Sequence, residues 1–147
     1  MATSTSIEVD RPAPEVFAYV TDPSRFCEWQ EGVVDGHNQA DGSASVGDRC
    51  VNTRRIGFAK RQVTSEITRI DAPRAWSVRG IDGPIRAAVD VHVEPLDEGR
   101  RSRVTITLDF TGHGIGKVIV PVVIRPQAAK EMATNMQRLK QRLETSA

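Results

Sequence analysis

The sequence contains little cysteine, few aromatic side chains and no long apolar run. Two cysteines, Cys27 and Cys50, are too few for a disulfide framework. Their contexts, a short helix and a strand, favour free thiols that pack as small buried hydrophobic groups, and a single disulfide between them is the alternative. The longest apolar run, residues 118–124, is seven residues long and contains Pro121, far short of a membrane span. The first residues lack the basic run and apolar core of a signal peptide. These absences predict a cytoplasmic protein without membrane insertion.

The charges nearly cancel, since twenty basic and nineteen acidic side chains leave a net charge of +1. No overall field therefore attracts nucleic acid or anionic lipid. The basic runs at 60–61 and 100–103 carry no interleaved aromatic residues and are interpreted as solvated hairpin tips, so we predict no nucleic-acid partner. No group of His, Cys, Asp or Glu has metal-ligand spacing, and no phosphate-cradling or dinucleotide-binding motif is present. We predict no metal and no cofactor.

The last third of the chain holds the clearest pattern of secondary structure. Apolar residues alternate with polar ones over 87–93 and again over 104–110, which is typical of half-buried strands. Beyond Pro126 the apolar residues recur every three or four positions and predict a long amphipathic helix, with Ala129, Met132, Met136, Leu139 and Leu143 on its inner face. Such a helix at the end of a run of strands needs a sheet to cover.

The remaining segments predict a strand at 3–9, two short helices, and about six successive antiparallel strands before the long helix. Pro12 and Pro14 begin the first short helix, and Asp22-Pro23 begins the second, whose apolar members are Phe26, Cys27 and Trp29. Pro121, Pro126 and the β-branched residues around them predict a kink or irregular lead-in to the long helix. Its role is either core packing or a flexible cavity entrance. A length of 147 residues suits one domain over 1–147.

Several of these segments also match a known family in order and spacing. They are residues 12–17 (Pro-Ala-Pro-Glu-Val-Phe), 22–29 (Asp-Pro-Ser-Arg-Phe-Cys-Glu-Trp), 46–48, 66–74, 110–114 and 139–144. Together they resemble the START/Bet v 1-like (SRPBCC) superfamily over essentially the whole chain, and most of all its bacterial polyketide cyclase/dehydrase-type members. The resemblance implies an α+β helix-grip fold, in which a curved seven-stranded antiparallel sheet wraps around the long C-terminal helix, with two short helices after strand 1.

The resemblance further implies a deep apolar cavity between sheet and helix. Family members use such a cavity for lipids, sterols, polyketides, quinones or plant-hormone-like ligands. Strand alternation, the helix lead-in and the two large aromatic side chains then assign a ligand-binding wall to Trp29, Asn52, Arg54, Trp76, Val78, Val89, Val91, Ile106, Leu108, Phe110, Val118 and Val122. The alternative for Trp29, which the pattern favours, is a plug that closes the two short helices onto the sheet. If Cys50 points inward, its neighbours at two-residue spacing, Asn52 and Arg54, point inward as well.

Two residues are candidates for catalysis. Arg54 either anchors a carboxylate, phenolate or enolate of an apolar ligand or reaches solvent at the end of its strand. His113 lies between two glycines near one rim of the expected cavity, whereas His37 and His92 are expected in solvent. The glycines at 112, 114 and 116 are explained by a sharp turn with positive backbone angles.

The function that these observations favour is binding of a hydrophobic small molecule, lipid or polyketide-like, by a monomer or homodimer. The alternative is a polyketide cyclase/aromatase-type enzyme acting in the same cavity, where Arg54 or His113 would stabilise an enolate. A third possibility is an interaction module that acts on another protein.

Overall fold

The structure, a computed structural model, describes residues 2–39, 44–56, 59–83 and 85–145. The side chains at 56, 118, 119, 122 and 123 lie outside this description. In chain order the elements are β1 (Thr3–Val9), α1 (Ala13–Val20), a 3₁₀ turn (Pro23–Arg25), α2 (Phe26–Trp29), β2 (Val33–Asn38), β3 (Arg49–Ile56), β4 (Ala59–Asp71), β5 (Ala75–Gly80), β6 (Ile85–Leu96), β7 (Arg101–Gly112), α3 (Gly116–Ile119), a π-helical turn (Val120–Ile124) and α4 (Arg125–Thr145).

The strands form one antiparallel sheet in the order β1-β7-β6-β5-β4-β3-β2. Long hairpins connect most neighbours, and a crossover from β1 through the two short helices leads to β2 at the opposite edge. Helix α4 covers the inner face of this curved sheet. The predicted α+β helix-grip fold, with seven strands and two short helices after strand 1, is therefore confirmed.

The register of the strands decides which side chains face α4. Val91 lies opposite Trp76 on one side and Ile106 on the other, and all three are buried. His92, the next residue of β6, faces the other side and is exposed, as the alternation predicts. A period of two thus divides β6 and β7 into an apolar inner row and a polar outer row.

Helix α4 packs with the stripe Met132, Met136, Leu139 and Leu143, all of which are buried. The prediction was wrong for Ala129, which is exposed, whereas its neighbour Ala128 is half-buried on the inner side. Near the other end, Lys140 Nζ donates to the Glu8 carbonyl oxygen at 2.7 Å and to Glu144 Oε2 at 2.9 Å. These contacts fix the last turns of α4 against β1.

The lead-in to α4 is irregular, as its prolines predict. Residues Val120–Ile124 form a π-helical turn between α3 and α4. Pro121 and Pro126 lack an amide hydrogen, so a regular α-helix through this segment would lose two hydrogen bonds. Arg125 anchors the end of the lead-in, since its Nη1 donates to Asp109 Oδ1 at 3.0 Å and its Nη2 to the Phe110 carbonyl oxygen at 2.6 Å. The Arg125 guanidinium also lowers the pKa of the Asp109 carboxyl.

The glycines between β7 and α3 serve two different purposes. Only Gly114 has a positive φ, of 60°, in the region that favours glycine. Gly112 instead permits close approach, because a Cβ at this position would collide with the backbone of Gly116. The expectation of positive angles at all three glycines was wrong at 112 and 116. The turn depends on space at Gly112 and on conformation at Gly114.

Candidate functional site

A cavity of about 230 Å³ lies between the inner face of the sheet and α4. Five strands, β3 to β7, supply most of its wall, and most of the remainder comes from α4, α2 and the end of α1. The deep part is apolar and buried, with a lining that includes Val20, Phe26, Val91, Ile106, Met132 and Met136.

The structure brings together most of the residues that the sequence assigned to the wall. The ten of them that have described side chains all line the cavity: Trp29, Asn52, Arg54, Trp76, Val78, Val89, Val91, Ile106, Leu108 and Phe110. The side chains of Val118 and Val122 lie outside the described residues. His113 is exposed and does not belong to the wall. Whether any of these residues binds a ligand remains a prediction.

One corner of the cavity is polar and is organised around Arg54. Its Nε donates to Asn52 Oδ1 at 2.9 Å, and its Nη2 donates to Gln30 Oε1 at 2.9 Å. Burial lowers the pKa of the Arg54 guanidinium, and the charge of Glu131 on α4 partly opposes this effect. Arg54 therefore does not extend into bulk solvent at the strand end. It presents a cation to a mainly apolar cavity.

Trp29 places a second donor in the same wall. Its Nε1 is buried and has no hydrogen-bond partner in the described part of the chain. Buried donors are almost always satisfied, so an unpaired indole N–H on a cavity wall marks a position where an acceptor is missing. The Trp29 ring packs edge-on against Phe26, with centroids 6.0 Å apart, and Phe26 packs in the same way against Trp76 at 6.3 Å. The residue thus closes α2 onto the sheet and also lines the cavity.

The exposure of the described lining residues indicates where the cavity reaches the surface. Two of them are exposed, Arg55 on β3 and Gln127 on the first turn of α4, and every other one is buried or half-buried. The opening therefore lies between the end of β3 and the start of α4. The irregular lead-in to α4 is next to it in the chain, and Ile124 from that segment also lines the cavity.

Apart from Trp29, the described wall residues on and beside the helices were not predicted from the sequence. Gln30 follows α2, and Glu131 and Asn135 lie on α4. The sequence does contain a signal for Glu131 and Asn135, because each lies one position before a methionine of the inner stripe. Residues at this spacing flank the apolar stripe and share its side of the helix. Polar residues so close to the stripe are candidates for a buried polar site.

The two cysteines differ in environment, although both are free. Cys50 is buried on the cavity wall as predicted, and burial raises the pKa of its thiol to about 11. Cys27 is exposed, so its expected burial was wrong. Helix α2 is only four residues long, and Phe26 and Trp29 occupy its inner side.

We predict that a water-soluble alkylating reagent at pH 8 modifies Cys27 rapidly and leaves Cys50 intact. The thiolate is the reactive form, and with a pKa of about 11 only about one Cys50 thiol in a thousand is ionised at this pH. Because the pKa is raised, the rate at Cys50 increases about tenfold for each pH unit up to that value. Mass spectrometry of tryptic peptides measures both rates, with Cys27→Ser as the control. Equal rates at pH 8 would contradict the burial of Cys50.

No group of three or more His, Cys, Asp or Glu side chains could hold a metal ion within the ranges that the structure describes. In the same ranges, no helix is long and apolar enough to cross a bilayer.

Comparisons with known proteins agree with this geometry. The sequence pattern of the family described as "Polyketide cyclase / dehydrase and lipid transport" matches residues 2–144. No curated protein matches the chain. A protein of Thermus thermophilus is similar in structure, with a TM-score of 0.77, 14% identity and 97% coverage of both chains.

Two further solved structures are similar in fold. The Zhui aromatase/cyclase from a Streptomyces species has a TM-score of 0.74 at 12% identity, over 99% of this chain and 96% of its own. The protein Ara h 8.0201 has a TM-score of 0.68 at 11% identity, over 99% of both chains. Identities this low show a common fold alone.

The match over residues 2–144 covers nearly the whole sequence and shows that the chain belongs to the polyketide cyclase / dehydrase and lipid transport family.

Proposed function

We propose that this member of the family binds a hydrophobic small molecule, lipid or polyketide-like, in the cavity between the sheet and α4. The observation that supports the proposal most strongly is the cavity itself, about 230 Å³ of space with a mainly apolar wall. Protein interiors are normally packed as densely as organic crystals, so a void of this size lowers stability unless something occupies it. Both cysteines are free, which is consistent with the proposed cytoplasmic location.

The volume limits the size of the ligand. An apolar cavity of about 150 Å³ accommodates benzene, and typical small-molecule sites begin near 300 Å³. A cavity of about 230 Å³ is suited to a ligand of one or two rings, or to a short acyl chain. A longer molecule would leave part of its length in the opening between Arg55 and Gln127.

The polar corner limits the chemistry of the ligand. Arg54 keeps N–H donors beyond those bonded to Asn52 and Gln30, and the indole N–H of Trp29 is unpaired, so an oxygen acceptor on the ligand would find a donor at either residue. A carboxylate, phenolate, enolate or ketone oxygen has this property. We therefore propose an apolar body with one oxygen directed towards Arg54, in line with how a few polar groups orient ligands in apolar pockets.

The alternative function is that of a cyclase/aromatase-type enzyme in the same cavity. The family description and the half-buried cation on the wall favour it, because Arg54 is placed to stabilise an enolate oxygen of a folded polyketide-like substrate. His113 is a poor candidate for this chemistry, since its side chain is exposed and lies off the cavity wall. Glu131 is the carboxylate on the wall, and its charge acts on Arg54. It is the better-placed group to accept a proton.

Native mass spectrometry of the purified protein tests the binding proposal. We expect a fraction of molecules to carry an additional mass that organic extraction removes, and we expect the extracted protein to take up naphthol in a one-to-one ratio. A protein that carries nothing and takes up neither naphthol nor a short-chain fatty acid would contradict the proposal. Release of a chemically altered product from an added polyketide-like substrate would instead favour the enzyme.

A further inference from the structure

Four cations lie on the β3–β4 hairpin, at the end of the sheet where the cavity opens, although the net charge of the chain is only +1. On the hairpin of β3 and β4, Arg55 lies directly opposite Lys60, and Arg54 lies opposite Arg61. Like charges that face each other in this way destabilise an antiparallel pair. Arg54 and Arg61 share one face of the hairpin, and Arg55 and Lys60 share the other. An external anion at these strand ends would relieve the repulsion within each pair.

The exposed cations of this group have no partner among the described residues. Arg54 is bonded to Asn52 and Gln30, but the side chains of Arg55, Lys60 and Arg61 form no hydrogen bond or ion pair within the described chain. All three are exposed. Glu31, Asp35 and Asp82 lie at the same end of the sheet, and none of them forms an ion pair with the three cations among the described residues. The charge of the hairpin is therefore available to a partner.

An exposed apolar residue lies at the same end of the sheet. Ile85, the first residue of β6, pairs with Gly112, the last of β7, so the turn after β7 extends beyond the same ends of the strands as the β3–β4 hairpin. At the tip of this turn Ile115 is 70% exposed, the most exposed large hydrophobic residue of the described chain. Lys117, two positions later, is also exposed. We call Arg55, Lys60, Arg61, Ile115 and Lys117 the entrance rim.

We infer that the entrance rim docks the protein on an anionic lipid bilayer, with the cavity opening directed at the membrane. Cations attract acidic headgroups at about 1 kcal/mol each, and an exposed isoleucine at the same end of the sheet inserts at the interface. This combination favours a bilayer over an acidic protein, which would not require an isolated apolar tip beside the charges. The inference rests on the proposed function, because a bilayer is the reservoir from which a hydrophobic ligand enters such an opening.

Sedimentation with vesicles tests the inference. We expect the protein to bind vesicles of phosphatidylcholine and phosphatidylglycerol in equal amounts at low salt, and to bind pure phosphatidylcholine vesicles far more weakly. The triple variant Arg55→Gln/Lys60→Gln/Arg61→Gln should bind about a hundredfold more weakly, and Ile115→Ser about tenfold more weakly. The matched control Arg69→Gln/Arg74→Gln/Arg138→Gln removes the same charge from exposed positions outside the rim and should bind like the original protein.

Three outcomes would overturn the inference: no binding to the acidic vesicles, equal binding to both vesicle types, or equal losses in the rim and control variants. The first of these would leave an acidic protein as the partner of the rim. Thermal unfolding shows that the variants are folded, and removal of the like-charged pair should not lower Tm. Naphthol uptake from solution is measured on the same samples. If the protein binds vesicles but takes up no naphthol, the proposed function is refuted and the docking is not. If it takes up naphthol but does not bind vesicles, the docking alone is refuted.

Discussion

Replacement of Val89 by tryptophan should abolish ligand uptake. Val89 lies in the middle of β6 on the cavity wall, opposite Val78 on one side and Leu108 on the other. An indole at this position extends into the cavity and fills much of its roughly 230 Å³. We expect the affinity for naphthol to fall by at least about a hundredfold, since the naphthol rings then have no volume left in which to bury their apolar surface. Tryptophan fluorescence or native mass spectrometry measures the loss.

The control for Val89→Trp is His92→Trp on the same strand. His92 is exposed on the outer face, so the added ring meets solvent there and naphthol uptake should be unchanged. Overpacking costs about 1–3 kcal/mol, and filling a void offsets part of that cost, so Val89→Trp should remain folded. A folded Val89→Trp protein with normal uptake would place the ligand elsewhere.

The substitution Arg54→Met should separate ligands by their oxygen content. Methionine preserves an unbranched side chain and removes the donors and the charge. Hydrogen bonds to charged groups contribute about 1.5–3 kcal/mol, so naphthol should bind about ten to a hundredfold more weakly. Naphthalene, which has no acceptor oxygen, should bind with nearly unchanged affinity. Calorimetric titration of both probes gives the two ratios.

Arg61→Met is the matched control for Arg54→Met. The two arginines are direct cross-strand neighbours, but Arg61 is exposed and does not line the cavity. We expect neither probe to change its affinity in this variant. If Arg54→Met weakens naphthalene and naphthol equally, Arg54 contributes to the packing of the wall and does not recognise an oxygen.

The part of the site formed by strands was predictable from the sequence, because in any strand successive side chains point to opposite faces of the sheet. Once β6 and β7 are recognised, Val89, Val91, Ile106, Leu108 and Phe110 must share a face. The same reasoning along β3 placed Arg54 beside Asn52 on the inner side. For these strands, the alternation of apolar and polar residues in the sequence is enough to predict which side chains face the cavity.

The helical half was less predictable, because the rotation of a helix depends on what it packs against. Cys27 and Ala129 were expected inside and are exposed, whereas Glu131 belongs to the wall and was missed. Helix α2 is too short for a period to determine its inner side. The volume of the cavity is also absent from the sequence, since it depends on the distance between sheet and helix. The cations of the β3–β4 hairpin are ordinary solvated residues in the sequence pattern, and only the register places them opposite one another.

The most direct test of a ligand-binding cavity is the nuclear magnetic resonance spectrum of the two indole N–H groups during a titration with naphthol. The chain has only two tryptophans, Trp29 and Trp76, and both line the cavity. We predict that both signals shift, and that the Trp29 signal shifts further because its unpaired N–H gains an acceptor. The same titration of Val89→Trp should leave the Trp29 and Trp76 signals in place. If naphthol at saturating concentration moves neither signal in the original protein, the cavity does not bind such a ligand.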